Sequence, residues 1–420
     1  MSALWPVLVA GLLLVLRQPL LVILLALAAS VHLLWGQGRL EYIAEDLWIA
    51  LDKELVLSIP LFLLCGQVMT RGQTALRLVR IMKAATAGVP GGLALAATLS
   101  CALDASISGS SIVTMLAIGS VMVPSLLQAG YERRYVLGAV MAGGTLGIII
   151  PPSIPLILYG LVTETSVIEL FAAGIGPGLL LTGVFAAYAV WHNRNLPRGR
   201  FDGAELRAAL RDGLWALGLP AVLLGGLYGG AFGLTESAAV ALAYAVIVET
   251  LVHRGLDLRG LRGVFVEAAR FGGALFPLIA VALSLSLVLA EHRVPTLLVQ
   301  WVQAHVHSPF AFLVGVNVLL LAVGCLMTID LAVLVLAPLL APMAEAYGID
   351  RVLFGVLMIL NLEIGFLTPP VGLNLVVAAG AFRQPFGLLC RAALPFIGLM
   401  LACLALVTWQ PWIATGVLQR

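Results

Sequence analysis

Charge is scarce in this chain. Asp, Glu, Lys and Arg make up only 10% of its 420 residues, against roughly 25% in an ordinary soluble domain. With 61% of residues hydrophobic, a water-soluble globule and a disordered chain are both excluded. Cysteine is sparse too. Cys65, Cys101, Cys325, Cys390 and Cys403 are scattered in apolar surroundings with no CxxC or CxxH spacing. That excludes a disulfide scaffold and gives no support to a zinc site or a redox pair. No GxxxxGK[ST] string is present, so ATP binding through a P-loop is not indicated, and no Ser/His/Asp or Cys/His arrangement points to hydrolysis. The six histidines (His32, His192, His253, His292, His305, His307) fall near predicted helix ends or in loops, which leaves a histidine proton relay without support. The formal net charge of +2 is too small to suggest nucleic acid. Before Arg17 there is neither a basic n-region nor a small-residue cleavage pattern, which argues against a cleaved signal peptide.

What is abundant is apolar length. A helix needs about 20 apolar residues to cross a bilayer, and the mean hydropathy of +1.09 leaves room for about ten crossings. Apolar segments fall at about 3–16, 19–35, 53–70, 91–125, 135–160, 168–191, 213–231, 236–252, 272–290, 309–343, 352–378 and 392–412. The expected fold is an all-α polytopic membrane protein. Residues 91–125 and 309–343 are too long for one crossing and short for two, and each has a small or polar break near its middle. Both are expected to be re-entrant hairpins. Two further segments carry Pro151-Pro152 and Pro369-Pro370 in their interiors. Proline removes an amide donor and clashes with the preceding turn, so these helices must be broken inside the membrane.

Eighteen of the 23 basic residues lie at Arg17, in 71–90, at Arg133 and Arg134, in 192–213 and 253–270, and at Arg383 and Arg391. The alternate connections hold Glu41, Glu45, Asp46, Glu164 and Glu169. The positive-inside rule places the basic set in the cytoplasm, with the N-terminus outside. The first hairpin then opens to the cytoplasm and the second opens outside.

The chain also repeats itself. Pro124 and Pro342, Gly130 and Gly348, Arg133 and Arg351, Gly147 and Gly365, and the two Pro-Pro pairs are each 218 positions apart. The division expected is 1–210 and 211–420, each half with five crossings and one hairpin. An odd number of crossings gives the halves opposite orientations, and inverted repeats with discontinuous helices mark secondary transporters.

The breaks carry the chemistry. A broken helix leaves carbonyls that hydrocarbon cannot satisfy, so it survives only where it is buried or lines a cavity. Carbonyls and hydroxyls are hard ligands suited to sodium, and half-helix N-termini favour an anion. The first sodium site is read at Ser106, Ser108, Gly109, Ser110, Gly147 and Pro151, and the second at Thr328, Asp330, Gly365, Thr368 and Pro369. Ser111, Pro152, Ser153, Pro370, Gly372 and Asn374 are read as substrate contacts. The plainer alternatives are close helix packing through small residues and helix capping by Asp330. Glu363 is open between a ligand, a proton site and an exposed residue in a solvated cavity, and Asp104 is similarly open. Glu236, following Thr235, reads as a helix cap. Tryptophans near segment ends suit an aromatic belt against membrane lipid.

At these motifs the sequence resembles a known family. SISGSS, PSLLQAGYERRY, GTLGIIIPPSIPLILYG, FGLTESAAV and NLEIGFLTPPVGLNL look like the large membrane subunit of tripartite ATP-independent periplasmic (TRAP) transporters, from about residue 55 to 400. One departure is that the family often has an acid directly after Phe-Met in the second hairpin, where this chain reads Leu326-Met-Thr-Ile-Asp330. The resemblance implies a non-enzymatic, sodium-driven, elevator-type importer of the bacterial inner membrane. It implies a small four-helix membrane subunit as a separate chain, a periplasmic substrate-binding protein, and a small organic acid as substrate. Helices 3–35 and 213–252 are expected to form a static scaffold. A second reading is a stand-alone ion-coupled transporter of similar architecture that needs no binding protein.

Overall fold

The computed structural model describes residues 5–16, 18–35 and 41–418; Arg17, counted above in the basic set, lies outside them. Among the described residues there is no strand. In chain order the helices are α1 (Trp5–Val15), α2 (Leu20–Trp35), α3 (Glu41–Leu51), α4 (Glu54–Arg71), α5 (Thr74–Thr86), α6 (Gly92–Ser108), α7 (Ser111–Gln128), α8 (Arg133–Ile149), α9 (Ile154–Thr163) and α10 (Val167–His192). They continue with α11 (Gly203–Tyr228), α12 (Leu234–Ile247, extended by a π-helical turn Val248–Val252), α13 (Leu258–Glu291), α14 (Val294–His305), α15 (Pro309–Gly324) and α16 (Ile329–Ala346). The last are α17 (Arg351–Phe366), α18 (Leu373–Ala381), α19 (Phe386–Trp409) and α20 (Trp412–Thr415). Nine spans among the described residues are long and apolar enough to cross a membrane, or ten with one bent pair counted as a single span. The chain is a multi-pass membrane protein.

Each interruption read from sequence is present. α6 and α7 are separated by Gly109-Ser110, α8 and α9 by residues 150–153, α15 and α16 by 325–328, and α17 and α18 by 367–372. The boundaries keep the spacing seen in sequence: α7 and α16 begin at Ser111 and Ile329, α8 and α17 at Arg133 and Arg351, and α9 and α18 end at Thr163 and Ala381, all 218 apart. The division at residue 210 falls inside α11, and the connection nearest to it is 193–202.

Three helices lie where connections were expected. α3, α5 and α14 have only 11, 13 and 12 residues, and α3 and α5 also carry charged side chains, so no apolar window of membrane length marks them. α5 is amphipathic, burying Leu78, Val79, Ile81 and Ala84 on one face while Arg77, Arg80 and Lys83 lie toward the other. α14 and α15 meet at an angle of 117°. The basic stretches 192–213 and 253–270 are also partly helical, because Asp202 accepts from the amide of Ala204 and Asp257 from that of Gly260, each capping a helix start. With 34 residues, α13 is about 51 Å long, so its first turns extend beyond a hydrocarbon core of about 30 Å. Glu236 behaves as read: its Oε2 accepts from the amide of Gly233 at 2.9 Å at the start of α12.

The packing separates two sets of helices. α8 is held between α6, α7 and α19, and α17 packs on α15, α16, α10 and α19. The other set comprises α2 and α3 against α13, with α1 against α2, and α11 against α12. α4 touches both, lying on α12 and α13 and against α6, α7 and α9. α8 and α17 are buried along almost their whole lengths; the Pro151-Pro152 break after α8 is buried with them, whereas Pro369 and Pro370 after α17 are exposed.

Candidate functional site

The first site forms where the α6–α7 tip meets the break after α8. The chain can turn at the tip because Gly109 adopts φ +61°, a left-handed conformation favoured by glycine. The Ser108 hydroxyl lies 2.6 Å from that of Thr114 and 3.4 Å from the Ser110 carbonyl oxygen. Ser106 donates to the Leu103 carbonyl at 2.6 Å. Gly147 comes so close that a Cβ there would lie 2.6 Å from the Ser110 carbonyl oxygen, and a Cβ on Gly109 would lie 2.9 Å from that of Pro152. Pro151, Pro152 and Ser153 are all buried. Ser108, Gly109, Ser110 and Gly147 thus meet at one oxygen-rich junction with Thr114 and Pro152, while Ser106 bonds within α6 and Pro151 is buried in the adjoining break. Ser153, read as a substrate contact, caps α9 by accepting from the Leu156 amide at 3.3 Å.

The second site is a counterpart with a more open geometry. A Cβ on Gly365 would lie 2.6 Å from the carbonyl carbon of Gly324, and the Gly372 amide donates to the Cys325 carbonyl at 3.0 Å. The α15–α16 tip is thus seated on the break after α17. Thr328 stands at the start of α16 without making a side-chain cap, and Asp330 occupies its first turn, half-buried. Thr368 turns back to donate to the Ile364 carbonyl at 2.7 Å. Pro369, Pro370 and Val371 are exposed, in contrast to their buried partners in the first break. Tip and break meet through Gly365 and Gly372, while Thr368, Pro369 and Pro370 lie to the outer side.

Between the two sites is a polar cluster that joins the halves of the chain. Ser111, at the start of α7, donates to Glu363 Oε1 of α17 at 2.7 Å. Asn374, at the start of α18, donates to Ser111 Oγ at 2.6 Å and lies 3.4 Å from Glu363 Oε1. All three are at most 1% exposed. Glu363 is therefore not the exposed residue allowed as one reading of the sequence. Its Oε2 and the Asn374 Oδ1 have no hydrogen-bond partner among the described residues. Buried acceptors left unpaired are costly, and each of these two suits a cation or a polar ligand group.

Sequence reasoning missed two contributors. Thr114 completes the Ser108 contact and also faces the buried carboxylate of Asp104. Asn317 of α15 pairs with Asn361 of α17. Asn317 is a lone polar residue in an apolar run, the signal that marks an intramembrane functional candidate, and Thr114 follows the serine string by three positions, one helical turn on from Ser111.

Comparison with known proteins agrees with this geometry. Residues 7–413 match the family model described as "Tripartite ATP-independent periplasmic transporter, DctM component". The C4-dicarboxylate TRAP transporter large permease protein of Pseudomonas aeruginosa is 39% identical, over 92% of this chain and 91% of that protein. The ectoine TRAP transporter large permease protein of Halomonas elongata is 34% identical, over 90% of each. In fold, the chain is similar to the YdaH transporter of Alcanivorax borkumensis, with a TM-score of 0.65 at 16% identity, over 89% of this chain and 88% of that one. A family match over nearly the whole length, with relatives above 30% identity over most of both chains, places the chain in the large-permease family of tripartite ATP-independent periplasmic transporters.

Proposed function

We propose that this chain is the sodium-coupled membrane subunit through which a small organic acid, delivered by a periplasmic binding protein, enters the cytoplasm. The observation that carries the reading is the pair of hairpin tips seated on broken helices, with the buried Ser111–Glu363–Asn374 cluster between them. Two oxygen-rich junctions flanking a polar midpoint suit two cations and one anionic solute. The donor set fits sodium: serine and threonine hydroxyls and main-chain carbonyls are hard, neutral ligands. Among the described residues no three His, Cys, Asp or Glu side chains gather as a transition-metal site would need. Each bound cation offsets the negative charge of a carboxylate substrate, so the loaded site crosses hydrocarbon more easily than the empty or half-loaded one.

The family relationship supports the partners. A large permease works with a small membrane subunit, for which the apolar outer faces of α1–α3 and α11–α12 are available, and with a soluble binding protein. We read the two halves as inverted repeats, with the basic connections cytoplasmic. The hairpins and broken helices then form a moving unit inside a scaffold of α1–α3 and α11–α13. The buried first break and the exposed second break fit a conformation in which the second junction faces water and the first is closed.

The test is reconstitution. The chain and its small subunit are placed in liposomes, and a labelled dicarboxylate is supplied with and without the cognate binding protein. Uptake is expected only with all components. Accumulation by the chain alone would contradict the tripartite reading and favour a stand-alone transporter.

A further inference from the structure

Away from the site, one carboxylate is buried in a position that transport chemistry does not use. Glu249 lies in the π-helical turn that extends α12 and is 0% exposed. Its Oε2 accepts from the amide of Gln73 at 2.9 Å, and its Oε1 from the amide of Thr74 at 3.1 Å and from the Thr74 hydroxyl at 2.5 Å. His253 Nδ1 lies 3.2 Å from the same Oε1. These donors are the free N-terminal groups of α5, which a helix leaves without intrahelical partners, and a carboxylate there also complements the helix dipole. The corner is tightly fitted: a Cβ added at Gly255 would lie 2.8 Å from Glu249 Oε2.

α5 connects the two sets of helices. Its N-terminus follows α4, its face packs on α11, and its C-terminus leads into α6, with which it also packs. Lys83 on α5 donates to Ser125 of α7 at 3.1 Å. Two kinds of tie hold α5 to the scaffold. Arg77 and Arg80 pair with Asp212 and Glu205 of α11, but Arg80, Asp212 and Glu205 are each more than 40% exposed, and exposed pairs contribute little. The Glu249 bonds are buried and charge-assisted, which makes them the stronger anchor.

We propose that Glu249 is a positioning residue for transport. It fixes the N-terminus of α5 to the scaffold and makes α5 the rigid arm from which the first hairpin moves, with the bending confined to the 87–91 connection. The proposal rests on the elevator reading above.

The test compares Glu249→Ala and Glu249→Gln with Arg80→Ala, all in the full complex in liposomes. Hydrogen exchange is read at residues 73–76 and at 238–245 of α12, alongside uptake kinetics. Glu249→Ala is expected to speed exchange at 73–76 by about tenfold or more, leave 238–245 unchanged, and lower maximal uptake about tenfold with KM altered less than about twofold. Glu249→Gln, which keeps one acceptor oxygen and the same size, is expected to show a smaller effect of the same kind, and serves if the alanine variant does not fold. Arg80→Ala is expected to resemble the unaltered protein. Unchanged exchange at 73–76, or equal acceleration throughout α12, would overturn the proposal. So would faster exchange at 73–76 with normal uptake. In that last case, a seam cross-link that also spares transport puts the fault in the elevator reading.

Discussion

At the scale of single residues, the account rests on contacts too close to admit another atom. Gly147 and Gly365 sit where a methyl group would meet the main chain of the opposing hairpin tip. Overpacking of this kind typically costs about 1–3 kcal/mol, and here it also pushes the tip off its break. Gly147→Ala and Gly365→Ala are each expected to abolish sodium-stimulated uptake while the chain still inserts and assembles. Gly183→Ala, in α10 with open space around the added carbon, should transport normally. Loss of uptake in the Gly183 control to the same degree would show that the effect is not specific to the tips. The central cluster gives a second prediction. Asn374→Leu removes the donor to Ser111 and leaves buried groups unpaired, at roughly 1–3 kcal/mol each, so maximal uptake should fall at least about tenfold. Normal uptake by this variant would remove Asn374 from the site.

At the scale of elements, motion between the two helix sets is the claim at risk. Val335 of α16 packs against the cluster that contains Leu285 of α13, across the seam between the proposed moving unit and scaffold. In a cysteine-free background, cross-linking Val335→Cys to Leu285→Cys should stop transport and leave binding-protein docking intact. Full-rate transport through a verified, complete cross-link would rule out the elevator. At this scale the sequence was most readable where backbone chemistry forces the outcome. Pro151-Pro152 and Pro369-Pro370 had to interrupt helices, and Gly109 had to mark a turn, so both breaks and both tips were visible in advance. α3, α5 and α14 were not, because an amphipathic or partly polar helix leaves no long apolar window. Nor was the Ser111–Glu363–Asn374 cluster fully readable. Ser111 and Glu363 are 252 positions apart, and helical periodicity in one segment does not say which face of a distant segment it meets. Glu249 was hidden for the same reason, since its partners lie on α5.

At the scale of the whole molecule, the recurrence of element boundaries at a 218-residue spacing builds two similar junctions from one chain, and the buried cluster joins them. In the proposed reading the two junctions hold two cations for one carboxylate, and uptake then depends on the sodium gradient. The most direct measurement is uptake of a labelled dicarboxylate by the reconstituted complex under an inward sodium gradient, compared with an inward proton gradient in sodium-free buffer at matched membrane potential. The account predicts accumulation with sodium, rising steeply with sodium concentration because more than one ion binds, and none with protons alone. Equal accumulation driven by protons without sodium would contradict it.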